Sequence, residues 1–212
     1  MMARVMFVVC AIAVLGGTAF AANLGGEIGY LEGQATIDGA PATIGDVVPL
    51  GATVTTGARS QCEIIFREKN IIRLGESTAF VFHPFNLQNG SELKTGSLTL
   101  VLKNLVGSAA GSPRFLVHTQ TTTCGVRGTS FFMKVEDPNS TYVCLCNGAI
   151  TIDDGSQSGM EVVAAHHGSY WLKKKDGAIS VSKAPMLYHS DDDMETLAGK
   201  IGVSIDWTVA DH

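Results

Sequence analysis

The sequence of 212 residues lacks the features that mark several common classes of protein. With 15 basic against 20 acidic residues, it has no excess of positive charge, so we expect no binding to nucleic acid. Its N-terminal apolar run, Val5–Leu15, is shorter than the roughly 20 residues that span a membrane. The motifs G-x-S-x-G, G-x-x-x-x-G-K-[ST] and H-E-x-x-H are absent. We therefore expect a protein that is not an enzyme.

The N-terminal segment has the order of features typical of a secretory signal peptide. Arg4 precedes the apolar run, and Ala19 and Ala21 then form an A-x-A cleavage site. This pattern predicts a signal peptide over residues 1–21 and a periplasmic or secreted protein without a transmembrane span after cleavage. An uncleaved N-terminal membrane anchor is the alternative.

Helical periodicity is missing from the sequence before residue 190. Runs of four to seven residues such as "EIGYLEG", "CEIIF" and "TYVCLC" are rich in β-branched and aromatic residues and are closed by glycine, asparagine or aspartate. Asn89-Gly90 between apolar runs is a hairpin signal. The pattern predicts an all-β fold, an antiparallel β-sandwich or roll of short glycine-punctuated strands.

The C-terminal part of the sequence continues this pattern and then changes. "MEVVAA" and "SYWLKKK" predict two more strands, and "HSDDDMETLAGKIG" predicts one short helix near residues 191–201, capped by Ser190 or Asp191. We expect a β-domain over residues 22–152 and a C-terminal β extension with a short helix over residues 153–212, packed on the same domain.

Several segments resemble one family of periplasmic domains. The opening "GEIGYLEGQATIDG", the steps at Gly45-Asp46 and Thr56-Gly57, and the segments "IIRLGESTAF" and "CGVRGTSFFMKV" are similar to those of the FecR family over about residues 25–152. The resemblance implies a binding or interaction module with a protein partner in the periplasm. FecR itself carries a cytoplasmic segment and a membrane span before this domain. Here only the predicted signal peptide precedes it, so we expect a stand-alone member without the anti-sigma segment.

The V-R-G-T segment within this resemblance brackets Val126-Arg127 between Gly125 and Gly128. Glycines on both sides allow positive φ angles, which predicts a tight turn that holds Arg127. The arginine then serves either a structural ion pair or carbonyl contact, or the docking of a partner.

A group of cysteines and histidines lies outside what the resemblance implies. Cys144 and Cys146 are two apart, so in a strand their side chains point to one face. Thiolate and imidazole together suit zinc, copper or iron, including haem iron. We therefore predict a metal site formed by Cys144, Cys146, His166, His167 and His189, although the spacing matches no standard zinc signature. A metal- or haem-binding redox protein that uses this cluster is thus the alternative to a simple binding module.

Two alternatives to the metal site remain open. Cys124 could form a cross-strand disulfide with Cys144 or Cys146, or these two could form a strained disulfide with each other. Alternatively, the cysteines are buried and chemically inert, as free cysteines often are. Cys62 has no evident partner in any of these interpretations.

Overall fold

The computed structural model is almost entirely β-structure, as predicted. It describes residues 25–67, 69–84, 88–103, 115–153 and 159–210; the predicted signal peptide over residues 1–21 lies outside this part of the chain. The strands are β1 (Gly26–Glu32), β2 (Ala35–Ile37), β3 (Ala40–Pro41), β4 (Val47–Val48), β5 (Thr53–Thr56), β6 (Gln61–Phe66), β7 (Asn70–Leu74), β8 (Ala79–Val81), β9 (Ser91–Leu102), β10 (Phe115–His118), β11 (Thr123–Asp137), β12 (Ser140–Ile152), β13 (Met160–Ala164), β14 (Gly168–Lys175) and β15 (Ala178–Ala184), and the helix is α1 (Asp191–Gly199).

The strands form one sheet that turns back on itself as a roll. Its main path runs β15-β14-β12-β11-β10-β9-β7-β6-β1-β4, and β13 pairs with β12. The long strand β9 joins two parts of the roll, because its first half pairs with β8 and its second half pairs with β7. Gly96 lies between these halves with a φ of 79°, and a Cβ there would collide with Thr78, so this position requires glycine.

One strand pair departs from the expected antiparallel pattern. Among the described residues, β9 and β10 pair in parallel through Val117↔Ser91 and His118↔Glu92, and the other pairs are antiparallel. The sequence pattern predicts alternation along a strand but not the direction of its neighbour, which depends on how the chain returns to the sheet.

The central strands are buried on both faces of the sheet. On the inner face, residues such as Ile72, Leu100 and Phe131 belong to the larger apolar core. On the outer face, the alternate residues Ile71 and Val101 belong to a second apolar cluster. Two-sided burial explains why β12 consists of buried residues along almost its whole length.

Residues 185–210, the C-terminal segment, cover this outer face. Met194, Leu197 and Ala198 of α1 are buried in the outer cluster. Ser190 caps the helix, one of the two residues that the sequence predicted for this position, and it also forms a capping box with Asp193. No helix among the described residues has both the length and the apolar character that crossing a membrane requires.

The far end of the helix is held to the sheet by charge. The Lys200 Nζ atom lies 2.7 Å from an Oε atom of Glu63, a carboxylate that is 1% exposed. Arg73 binds the same carboxylate at 2.9 Å. Because one buried anion faces two cations, this network attaches α1 to β6 and β7.

Candidate metal centre

Strand β12 places Cys144 and Cys146 on the outer face of the sheet. Both side chains are fully buried in the outer cluster, whereas Leu145 between them points into the inner core. The two Sγ atoms are 3.9 Å apart. The period-two prediction from the sequence is therefore confirmed, and the thiols form an adjacent pair beneath the C-terminal segment.

Two histidines reach this pair from different elements. His167 immediately precedes β14, whose pairing with β12 brings Ser169 opposite Cys144. It has a left-handed φ of 46°, and its backbone N–H donates to the Cys146 carbonyl at 3.1 Å. Its Nδ1 atom lies 3.3 Å from the Cys144 Sγ atom. His189, just before α1, places its Nε2 atom 3.2 Å from the Cys146 Sγ atom.

Three of the six separations among the four donor atoms are close to those of a tetrahedral metal site. The ligand atoms of Cys144, Cys146, His167 and His189 all lie within 4.8 Å of one another. A tetrahedral zinc ion with bonds of about 2.3 Å to sulfur and about 2.0 Å to nitrogen holds two sulfurs about 3.8 Å apart, and sulfur and nitrogen about 3.5 Å apart. The observed 3.9, 3.3 and 3.2 Å match this arrangement to within a few tenths of an ångström.

Each histidine is oriented through its second ring nitrogen. The His167 Nε2 atom lies 2.6 Å from Asp191 Oδ1, and the His189 Nδ1 atom lies 2.8 Å from the Leu187 carbonyl oxygen. Both oxygens accept hydrogen bonds, so each imidazole can carry a proton on the nitrogen that faces them. The nitrogen that faces the cysteine sulfur could then bind a metal once it carries no proton of its own. Metal-binding histidines are commonly held in this way by a carboxylate or a carbonyl.

The ionisation of the two thiols is strongly asymmetric. The hydrogen bond from Cys146 lowers the pKa of Cys144 to about 3; burial opposes this shift, and hydrogen bonds from His167 and His189 reinforce it. Burial and the neighbouring Cys144 thiolate raise the pKa of Cys146 well above its ordinary value. Burial alone would lower the pKa of His167, but hydrogen bonds to Cys144 and Asp191 raise it. The site therefore presents one thiolate, and a bound cation would displace the proton of the other thiol.

His166 lies beside this group rather than in it. Its side chain is 51% exposed, and its Nε2 atom lies 3.0 Å from Asp191 Oδ2. With His167 and Asp191 it forms a second set of three possible ligands. Of the five residues predicted from the sequence, the structure thus brings four together and places the fifth at the solvent edge.

The other two cysteines of the described residues lie on the opposite side of the sheet. Cys62 and Cys124 are free and belong to the inner core. The sheet separates Cys124 from Cys144 and Cys146, so the predicted alternative of a cross-strand disulfide with either of them is wrong. Burial raises the pKa of Cys62 to about 12, which keeps this thiol protonated and chemically inert.

The predicted tight turn at Arg127 and Gly128 is also wrong, because both residues lie inside β11. Arg127 pairs with Ala149, and the register shifts between Arg127 and Ser130. Gly128 has a φ of 53°, so glycine here permits a β-bulge rather than a reversal of the chain. The side chain of Arg127 lies outside the described part of the structure, and its role in partner docking stays a prediction.

The convergence of four donors restricts the cofactor. A haem iron with two axial protein ligands needs room for the porphyrin between them. Here the four ligand atoms lie within 4.8 Å of one another in a buried cluster, which leaves no such room. Cys144, His167 and Asp191 also form a chain like that of a cysteine nucleophile. Because Cys144 is fully buried, a substrate could not reach its sulfur.

Two residues that orient the site were not predicted from the sequence. Asp191 is the first residue of α1, in the acidic run that predicted a helix N-terminus, and it also directs its carboxylate at His166 and His167. Trp207 stacks on His167 with ring centroids 5.5 Å apart. Only the position of Asp191, two residues after His189, could have indicated its role.

Comparison with known proteins confirms the family resemblance. Residues 52–151 match the family described as FecR protein, so this part of the chain is similar to that family. A solved structure, described as a "putative anti-sigma factor" from Parabacteroides distasonis, is similar at 18% identity with a TM-score of 0.47. The match covers 62% of this chain and 59% of that protein's length. No curated protein matches.

Proposed function

We propose that this chain is an exported, non-enzymatic FecR-domain protein that binds one zinc ion through Cys144, Cys146, His167 and His189. The observation that carries the proposal is the convergence of these four ligand atoms within 4.8 Å. Export to the periplasm rests on the sequence of residues 1–21, and an interaction with a periplasmic protein rests on the FecR domain.

The donor set favours zinc over the other transition metals considered. Two thiolates and two neutral imidazoles give the tetrahedral S₂N₂ set that zinc prefers. Two thiolates also balance the charge of a divalent ion, so the complete centre is neutral, as burial in the outer cluster requires. A mononuclear site also fits better than a two-iron cluster, whose sulfur and nitrogen ligands bind different irons.

A structural role follows from the closed coordination. Four protein donors leave no position for water or substrate, which is typical of structural rather than catalytic zinc. Both cysteines lie within the matched FecR residues 52–151, whereas both histidines lie after them. The ion would therefore fasten the C-terminal segment to the FecR domain, and the assembled unit would act as the binding module.

Metal analysis of the purified protein tests this proposal. We expect one zinc per chain in the wild type, and almost none in Cys144→Ser or His189→Ala. Cys62→Ser is the matched control, because it alters a buried thiol of the inner face, and it should retain zinc. A metal-free wild type with a mass two hydrogens light before reduction would instead indicate a Cys144–Cys146 disulfide and contradict the proposal.

The proposed export of the protein is tested separately, through its N-terminus. The intact mass of the protein recovered from the periplasm should correspond to an N-terminus at Ala22. A full-length, membrane-retained product would contradict the exported form and favour the N-terminal anchor.

A further inference from the structure

The thiols of the proposed zinc centre are sealed from solvent. Cys144 and Cys146 are both 0% exposed, and His167 is 11% exposed. An ion that reaches these donors must therefore pass the surface next to the site.

That surface carries two exposed metal ligands that the buried set does not use. The side chains of His166 and Asp191 are 51% and 40% exposed, and the His166 Nε2 atom lies 3.0 Å from Asp191 Oδ2. Together with the Nε2 atom of His167 they form a second group whose ligand atoms all lie within 4.8 Å of one another. Nitrogen and carboxylate oxygen donors with access to water suit a divalent ion that keeps some of its hydration shell.

His167 connects the exposed group to the buried one. Its Nε2 atom faces Asp191 at 2.6 Å, and its Nδ1 atom faces the Cys144 sulfur at 3.3 Å. Trp207 contacts both imidazoles, at ring-centroid distances of 5.0 Å from His166 and 5.5 Å from His167. A single imidazole thus separates solvent-accessible ligands from the thiol pair.

We propose that His166 and Asp191, with His167, form a loading subsite through which a divalent metal ion enters and leaves the buried cysteine pair. The ion binds first to the His166 nitrogen and the Asp191 carboxylate. It then passes to the two sulfurs and the two imidazole nitrogens that face them, and the protons that these four ligand atoms carry are released to water. This inference rests on the proposed zinc centre and adds the route to it.

Rapid mixing of the metal-free, reduced protein with Co²⁺ tests the route, because cobalt bound by thiolate absorbs visible light. In His166→Ala we expect both loading and release to a chelator to slow by about tenfold, comparable to the lower end of the effect of losing an outer-shell partner. The affinity for Co²⁺ should not change, because a group that acts only on the path alters both rates equally. His83→Ala, which removes a histidine elsewhere, should load at the wild-type rate.

A second variant separates a lost ligand from disturbed packing against Trp207. His166→Asp restores a metal-binding side chain of a different shape and should recover most of the loading rate. Failure of His166→Asp to recover it would overturn the proposal, because packing alone would then explain the loss.

Three other results would overturn the loading subsite while leaving the zinc centre intact. The first is wild-type loading by His166→Ala. The second is weaker affinity with faster release, which would make His166 a ligand of the resident ion. The third is a second ion held at equilibrium by the wild type and lost in His166→Ala. By contrast, a wild type that develops no thiolate–cobalt absorption would refute the zinc centre itself, and the route with it.

Discussion

Cysteine side chains have different surroundings on the two faces of the sheet. On the inner face, Cys62 and Cys124 are packed among apolar residues, and burial raises the pKa of both thiols. On the outer face, Cys144 and Cys146 are equally buried, but two imidazoles lie within 3.3 Å of their sulfurs. Burial alone makes a cysteine inert, whereas burial beside oriented imidazoles gives a pair of cysteines that could bind a metal ion.

The strongest way to break this contrast is to remove the metal from the outer face. If the free zinc concentration is about a thousand times the dissociation constant of the site, chelation should lower the free energy of unfolding by about 4 kcal/mol. Hydrogen exchange should rise first in the C-terminal segment, because the proposed ion would connect it to β12. Denaturant unfolding and exchange with and without chelator measure both effects.

A double-variant experiment serves as the control for that result. Cys144→Ser and His167→Ala should each abolish the chelator effect, and the two together should add little, because they disrupt one site. If instead reductant destabilises the protein and chelator does nothing, a disulfide holds the outer face.

At the other end of α1, ion pairs rather than the proposed metal ion connect the helix to the sheet, so the two attachments can be compared. In Glu63→Gln the two cations at Arg73 and Lys200 lose their buried partner, so we expect a loss of about 1–3 kcal/mol in the free energy of unfolding. Zinc content should stay at one per chain, because Glu63 and its two cations lie at the end of the helix away from the cysteines. Loss of zinc in this variant would show that both attachments form a single cooperative unit.

The orientation of His167 can be weakened without removing any of the four ligands of the buried site. Asp191→Ala removes the acceptor at its Nε2 atom, and we expect zinc affinity to fall about 10- to 100-fold. Asp192→Ala is the matched control, because it removes a charge from the same first helical turn. A competition titration against a chelator measures both variants, and equal losses would reduce the role of Asp191 to its charge at the helix end.

The smallest effect is expected on the inner face. Cys124→Ala deletes one buried atom from the apolar core, which should cost about 0.5–1.5 kcal/mol, and zinc binding should not change. Thermal unfolding and metal content test this expectation. A loss of zinc in Cys124→Ala would mean that the sheet does not isolate its two faces.

Local sequence patterns predicted those parts of the structure that depend on neighbouring residues. Alternation along "TYVCLC" predicts that Cys144 and Cys146 share a face, and Ser190 followed by acidic residues predicts where α1 begins. The FecR resemblance and the all-β fold were likewise predictable, because they depend on strand and turn residues along the chain.

The rest depends on contacts between distant residues. The choice of His167 over His166 follows from the pairing of β14 with β12 and from a left-handed φ at His167. The approach of His189 follows from the docking of α1 on the outer face, and the bulge at Gly128 from the register between β11 and β12. None of these pairings is encoded in the spacing of the residues themselves.

X-ray absorption at the zinc edge tests the central claim most directly, because it reports the atoms bound to the metal in the intact protein. We predict two sulfur ligands at about 2.3 Å and two nitrogen ligands at about 2.0 Å in the wild type. In His166→Ala the same four ligands should remain. A first shell with only nitrogen and oxygen would contradict the account, because the metal would then lie outside the cysteine pair.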